Sequence, residues 1–287
     1  MLITVATPTY NRAPLLTRLY QSLCRQTCSD FEWLIVDDGS TDGSEQIVKD
    51  FISEGKITIK YLRKPNGGKH TAINLAVRKA QGELFFIADS DDWLPPTSLE
   101  RVKQHYASIR GNNEYAGICG LDSFPDGNII GTGLPKMTVD ASYLEIRDKY
   151  QVSGDMKEVY RTSVLREYPF PEINGETFCS EALIWNRIAA RYLLRYFNEV
   201  IYTAEYQIDG ITASITRIRI KNPVSTMMTY SEWIHYRIPL NRKIRYAINY
   251  WRFAFCSKRK VEISSWTMLL APLGWIMHMI DKRKYNI

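Results

Sequence analysis

At 287 residues with 45% apolar side chains, the chain can build one large α/β domain or two small ones, and it is not a disordered tail. The net charge of +6 is uneven: residues 235–287 carry 11 Lys/Arg against 2 Asp/Glu, leaving 26 against 29 before them. Five cysteines (Cys24, Cys28, Cys119, Cys179, Cys256) form no C-x-x-C pair and no disulfide framework, and the N-terminus has neither a basic n-region nor a long apolar run. With no stretch of the roughly 18–20 apolar residues a spanning helix needs, a cytoplasmic chain is expected.

In chain order, residues 2–6 form a short apolar, β-branched run, and after Thr7-Pro8-Thr9-Tyr10-Asn11 the residues Leu15, Leu16, Leu19 and Leu23 recur at helical spacing behind Pro14. Residues 31–36 predict a second strand. Asp37-Asp38-Gly39-Ser40-Thr41-Asp42-Gly43-Ser44 follows it, then a helix marked by Ile47, Val48, Phe51 and Ile52. A third strand alternates through Ile57, Ile59 and Tyr61; a loop at 64–69 holds Gly67-Gly68; and Ala72, Ile73, Ala76 and Ala80 line a helix closed by Gly82. Strand 84–88 then runs into Asp89-Ser90-Asp91-Asp92, before Pro95-Pro96 opens another helix. Strands alternating with helices predict an α/β fold, an open, mostly parallel sheet with helices on both faces, and in such sheets ligands bind beyond the carboxyl ends of the strands.

Those ends carry chemistry. Carboxylates as crowded as Asp89, Asp91 and Asp92 repel one another and call for a cation, and Mg²⁺ or Mn²⁺ takes one or two carboxylates with water and phosphate oxygens. A polar turn capping the next helix is the plainer reading of the same residues. Asp38 can accept a hydrogen bond from a base N–H, Lys69 can meet a phosphate, and Gly67-Gly68 lets backbone approach a ligand. Asp38 to Gly43 would also make an ordinary turn and N-cap, and Asn66-Gly67-Gly68-Lys69 an ordinary loop.

With Thr7-Pro8-Thr9-Tyr10-Asn11, Val36-Asp37-Asp38-Gly39-Ser40-Thr41-Asp42, Asn66-Gly67-Gly68-Lys69 with Asn74, and Asp89-Ser90-Asp91-Asp92, the chain resembles an inverting family 2 glycosyltransferase of the A-type, Rossmann-like nucleotide-sugar-binding fold. The resemblance covers residues 1 to 100 most closely and 150 to 215 less so. It implies that Asp38 contacts the base, that Pro8 and Tyr10 line the base pocket, and that Lys69 lies near base or phosphate. It also implies that Asp91 binds the metal, with Asp89 and Ser90 beside it on the donor.

The second half would hold the acceptor side, with 111–135 and 154–171 as loops over the site. Ser180 can cap a helix whose Leu183 or Ile184, Ile188 and Tyr192 recur helically, setting Glu181 at its N-terminus. In the family this place holds an acidic residue, often Glu-Asp, so the resemblance implies that Glu181 is the base that deprotonates the acceptor hydroxyl; a first-turn acid stabilised by the helix dipole is the plainer reading. Residues 200–214 read as a strand and an Asp-Gly loop; the resemblance implies a further diphosphate or metal contact here, often a His, for which only Glu205 or Asp209 could substitute, and an ordinary turn at Asp209-Gly210 is the preferred reading. His70 reads as a helix-start residue.

Residues 221–287 form a separate helical tail after a catalytic domain at 1–220, itself divided into 1–100 and 101–220. Ile244, Ile248, Trp251 and Phe255 share one helical face opposite basic residues, and residues 266–280 are apolar, broken by Pro272 and Gly274, and flanked by Lys/Arg. The tail is expected on the inner membrane surface near a lipid-linked acceptor, or packed on the catalytic domain or a partner subunit, a second copy included; no nucleic-acid module is recognisable. The expected activity is metal-dependent transfer of a UDP-linked sugar to an acceptor hydroxyl in bacterial surface-polysaccharide or lipid-linked oligosaccharide assembly. A sugar nucleotidyltransferase would need a Gly- and Arg-rich loop where Pro8-Thr9-Tyr10 stands; a non-catalytic nucleotide-sugar binder would have no need of Glu181. A nicotinamide enzyme would place G-x-G-x-x-G after the first strand.

Overall fold

The computed structural model describes residues 1–206 and 211–285, with the side chains of 211–213 outside the description. Two compact units emerge, Met1–Pro169 with Arg187–Gln207, and Phe170–Asn186 with Ile208–Ile287.

The first unit contains an eight-stranded sheet: β1 (Ile3–Thr9), β2 (Phe31–Asp37), β3 (Ile59–Arg63), β4 (Leu84–Ile87), β5 (Tyr115–Ser123), β6 (Thr138–Ala141), β7 (Met156–Arg161) and β8 (Leu193–Thr203). They lie in the order β3-β2-β1-β4-β7-β5-β8-β6. The helices are α1 (Ala13–Cys24), α2 (Ser44–Glu54), α3 (Lys69–Lys79), α4 (Ser98–Ala107), α5 (Tyr143–Asp148) and α6 (Thr162–Glu167), and the sheet is covered on both sides. The first four strands are parallel, with Ile3 opposite Phe31 and Leu84, and Trp33 opposite Ile59. Ile3, Val5, Leu34, Ile35 and Phe86 are wholly buried, as strands covered on both faces require. Tyr20 of α1 stacks on Phe51 of α2 with ring centroids 4.0 Å apart, tying the two helices over one face.

The remainder departs from the sequence expectation. The stretches 111–135 and 154–161, expected as loops, contain β5 and β7, with β7 antiparallel to both β4 and β5. The strand character of β5 is masked by glycines that close packing demands: a Cβ on Gly117 would fall 2.1 Å from the Val159 carbonyl oxygen, and one on Gly120 2.6 Å from Ile201. The third strand starts at Ile59 rather than Ile57. Helix α3 ends at Lys79 with Ala80 as its C-cap, so Gly82 does not close it. Gly82 instead admits the β1 backbone, and its N–H donates to Thr4 Oγ1 at 2.9 Å.

The second unit holds α8 (Ile211–Lys221), α9 (Pro223–Trp233), α10 (Leu240–Ala254), a 3-10 turn (Ser265–Leu270) and α11 (Ala271–Tyr285). Helix α7 (Glu181–Ala189) begins in this unit. Glu176 caps α9, accepting from the backbone N–H groups of Val224 at 2.6 Å and Ser225 at 2.8 Å. The core gathers Ile220, Met227, Tyr230, Tyr250 and Phe253. Helix α10 is thus rotated from its expected orientation: Ala247, Tyr250 and Phe253 are buried, while Ile244 and Phe255 of the expected apolar face are exposed.

Candidate functional site

Because β1, β2 and β3 are parallel and in register, the loops after them leave the sheet side by side. Asp38 N–H donates to the Thr9 carbonyl at 2.8 Å and Lys64 N–H to the Asp37 carbonyl at 2.9 Å. Asn11, at φ 52, donates its N–H to Ser40 Oγ (2.9 Å) and accepts from Thr41 N–H through Oδ1 (2.8 Å). Asp42 accepts from Ala13 N–H at 3.0 Å and Ser44 N–H at 3.0 Å, holding the starts of α1 and α2 with one carboxylate. Pro8, half-buried, pairs with Val36, and Tyr10 stands 47% exposed at the tip of its loop.

Asp38 is only 3% exposed and already engaged. Its Oδ1 accepts from Lys64 Nζ at 2.6 Å and Gly67 N–H at 3.0 Å, and its Oδ2 from Gly68 N–H at 2.6 Å. The carboxylate therefore shapes the Gly67-Gly68 loop, with one of its roughly four lone-pair positions left over. Asp38→Ala is expected to strand two backbone donors and take the counter-charge from Lys64, which keeps its bonds to the Pro65 carbonyl and Thr71 Oγ1, costing about 3 kcal/mol of stability in urea unfolding. A loss below about 1 kcal/mol would remove this structural role.

The acidic turn lies at the end of β4. Asp89 Oδ1 pairs with Lys69 Nζ at 2.7 Å, bringing together two of the residues singled out from the sequence. Burial pushes the Asp89 carboxyl up, but Lys69 and Lys157 outweigh it and hold it below its usual range. The Asp91 carboxyl is raised, first by burial and then by Asp89. Ser90 between them is buried. Asp92 is buried too, accepts from Glu205 N–H at 2.9 Å, and is pushed up to about 6 by burial and by Asp89.

Sequence reasoning missed three residues that hold this turn. The Tyr202 hydroxyl accepts from Asp89 N–H at 2.8 Å and bonds the Asp92 carboxylate. Arg18 donates to the Asp91 carbonyl, pairs with Glu205 at 2.7 Å, and lies 4.1 Å over the Trp93 ring. Lys157 Nζ sits 3.5 Å from the Tyr202 ring centroid. Burial works against the Lys157 ammonium, but Asp122, Asp89 and Asp92 together outweigh it and keep it charged. No local pattern marks these residues, since each reaches the acidic turn across more than 60 positions of chain.

Asp122 is 3% exposed, and among the described residues its Oδ1 has no hydrogen-bond partner. Burial, only partly offset by Lys157, pushes its carboxyl up to about 7. The folded chain thus holds a proton there that an unfolded carboxylate, with a pKa of about 3.9, has released. Stability should therefore fall as pH rises from about 4 through 7. Asp122→Asn is expected to flatten this decline, measured by urea unfolding between pH 5 and 8; an unchanged slope would contradict the assignment.

The turn offers oxygen donors only, two residues apart at a strand end, which fits a hard divalent cation that keeps water and phosphate ligands. Among the described residues no three Asp, Glu, His or Cys side chains converge as a complete metal centre. Glu205, the less favoured reading for a further contact, is engaged with Arg18, and Asp209 lies outside the described residues. His70 is buried in the first turn of α3. Glu181 opens α7, with Leu183 N–H donating to the Ser180 carbonyl at 3.0 Å and Leu183, Ile184 and Ile188 buried. It belongs to the second unit, while Pro8, Tyr10, Asp38, Lys69, Ser90, Asp89 and Asp91 belong to the first.

A mostly parallel sheet with its polar loops gathered at the carboxyl ends of β1, β2 and β4 is the architecture of the A-type glycosyltransferases. The family model described as glycosyl transferase family 2 matches residues 4–118. The glycosyltransferase alr2836 of Nostoc sp. (strain PCC 7120) is 33% identical over all of this chain and 93% of its own length. The chain belongs to the family 2 glycosyltransferases. It spans only 32% and 30% of two other curated relatives. In fold it is similar to Staphylococcus aureus TarS in complex with UDP-GlcNAc (TM-score 0.62, 23% identity, 89% of this chain and 73% of that one). It is also similar to the mannosyltransferase PcManGT of Pyrobaculum calidifontis in complex with GDP-Man and Mn²⁺ (TM-score 0.57, 17% identity, 98% and 75%).

Proposed function

We propose that the chain transfers a sugar from a nucleoside-diphosphate sugar, UDP-linked, to an acceptor hydroxyl by a single inverting displacement. The observation that carries this reading is the Lys69–Asp89 ion pair at the end of β4, 2.7 Å long, beside Asp91 and the loops after β1 and β2. A cation beside a carboxylate pair is the chemistry a metal-bound diphosphate needs, and this supports the reading. The UDP-GlcNAc and GDP-Man complexes of two proteins with the same fold support a nucleoside-diphosphate sugar as donor. Asp38, with Pro8 and Tyr10, would receive the base; Ser90 would lie against the donor.

Asp91 and Asp89 would hold Mg²⁺ or Mn²⁺, and the metal when bound supplies Lewis-acid stabilisation of the departing diphosphate. Lys69 shares that work as a fixed positive charge, because it is already oriented by Asp89 and needs little reorganisation. The Asp91 carboxyl, raised by burial and by Asp89, must lose its proton to serve as ligand, so donor binding should weaken as pH falls. Glu181 would take the proton of the acceptor hydroxyl as it attacks. The acceptor would be a carbohydrate, free or lipid-linked, of a bacterial surface polysaccharide or oligosaccharide, met by a cytoplasmic protein peripheral at the membrane's inner face.

A screen of nucleoside-diphosphate sugars for metal-dependent thermal stabilisation tests the donor assignment. A ligand at 100 times its Kd adds about 2.7 kcal/mol to folding stability. A Tm rise with a UDP sugar and Mn²⁺, abolished by chelator, is expected; no rise with any donor would overturn the reading.

A further inference from the structure

We propose that the outer face of α11, with the 3-10 turn before it, is a docking surface for an anionic lipid bilayer. This rests on the membrane-surface part of the proposed function and names the side chains that would meet the lipid.

The inner side of α11 is fixed by α10. Gly274 packs against Trp251 and Ile248, His278 Nδ1 lies 3.4 Å from Cys256 Sγ, and Asp281 pairs with Arg252 at 2.6 Å. Trp251 Nε1 donates to the Thr267 carbonyl at 2.8 Å, holding the 3-10 turn in place as well. Gly274, His278 and Asp281 recur at helical spacing, so the opposite side is turned outward. A helix facing water would be polar there. Instead Leu269 is 85% exposed, and Trp266, Leu273, Trp275, Ile276 and Ile280 are each at least 41% exposed. An apolar stripe of this length on one face marks an interaction surface.

Charge decides what covers it. Lys282, Arg283 and Lys284 are exposed at the end of the stripe, and Arg283, seven residues after Ile276, falls on the same side. Lys258, Arg259 and Lys260 are exposed just before the turn. With 11 Lys/Arg against 2 Asp/Glu over residues 235–287, this part of the chain complements anionic headgroups and disfavours a second copy of itself. Trp266 and Trp275 are amphipathic aromatics suited to the headgroup level. Among the described residues no helix is long and apolar enough to cross a membrane. Helix α11 has 15 residues and so measures about 22 Å, which fits a helix lying in the plane of the interface.

The test is co-sedimentation of the full chain with phosphatidylglycerol-containing and pure phosphatidylcholine vesicles. Binding to the anionic vesicles is expected, with partial release in about 1 M NaCl, where the screening length is ~3 Å. Leu269 and Ile276 are exposed, so L269E/I276E should keep the wild-type Tm and metal-dependent donor binding while vesicle partition falls roughly tenfold or more. Equal vesicle binding by the variant, or none by the wild type, would overturn the proposal. So would a wild-type dimer that the variant dissolves without any vesicle binding. Donor binding, read without vesicles, reports separately on the glycosyltransferase reading.

Discussion

Glu181→Gln is expected to lower turnover by about 10² to 10⁴ while leaving the Kd for the donor within about threefold. The substitution keeps the size and polarity of the side chain but removes the base. Glu181 opens α7, and the buried Leu183, Ile184 and Ile188 that hold this helix are untouched, so the fold should survive. Single-turnover kinetics separate the two effects. A weaker donor with unchanged turnover would assign Glu181 to binding, and an unchanged enzyme would leave it a helix-start acid.

The second large effect is expected at Asp91. Asp91→Ala should lower transfer at least about 10³-fold, because electrostatic stabilisation of the leaving group is lost with the ligand. The apo protein should be as stable as wild type or slightly more so, since burial and Asp89 both raise the Asp91 carboxyl and the deletion relieves that repulsion. Asp89 remains paired with Lys69, so the turn itself is kept. Calorimetric titration of UDP with and without Mn²⁺ checks both halves. Mn²⁺-enhanced UDP binding that persists in Asp91→Ala would remove Asp91 as a ligand.

The strand-end loops were legible because their signals are local. Apolar runs end in Asp37-Asp38 and in Asp89-Ser90-Asp91-Asp92, whereas the ion pair joining Lys69 to Asp89 could not be read locally, because β2 and β1 lie between β3, which leads to Lys69, and β4. What holds those loops was not legible. Arg18 reaches the acidic turn from α1, and the register of β4, β7, β5 and β8 brings Lys157 and Tyr202 under it. Strand β5 was hidden by Gly117 and Gly120, which read as turn residues although close packing requires them. Asp38 shows a different difficulty: its residue type suits a base contact, yet most of its hydrogen-bonding capacity holds the neighbouring loop. In the second unit, α10 buries Ala247, Tyr250 and Phe253 rather than the whole of the face its apolar spacing suggested, and Arg252 pairs with the buried Asp281.

Proton NMR of the full chain incubated with an α-linked UDP sugar, Mn²⁺ and an acceptor glycan follows the donor's anomeric signal directly. Chelator-sensitive loss of that signal, with release of UDP and appearance of a β-configured product, is the result expected of single displacement at the β4 edge. An α-configured product, or donor turnover indifferent to both chelator and Asp91→Ala, would contradict it.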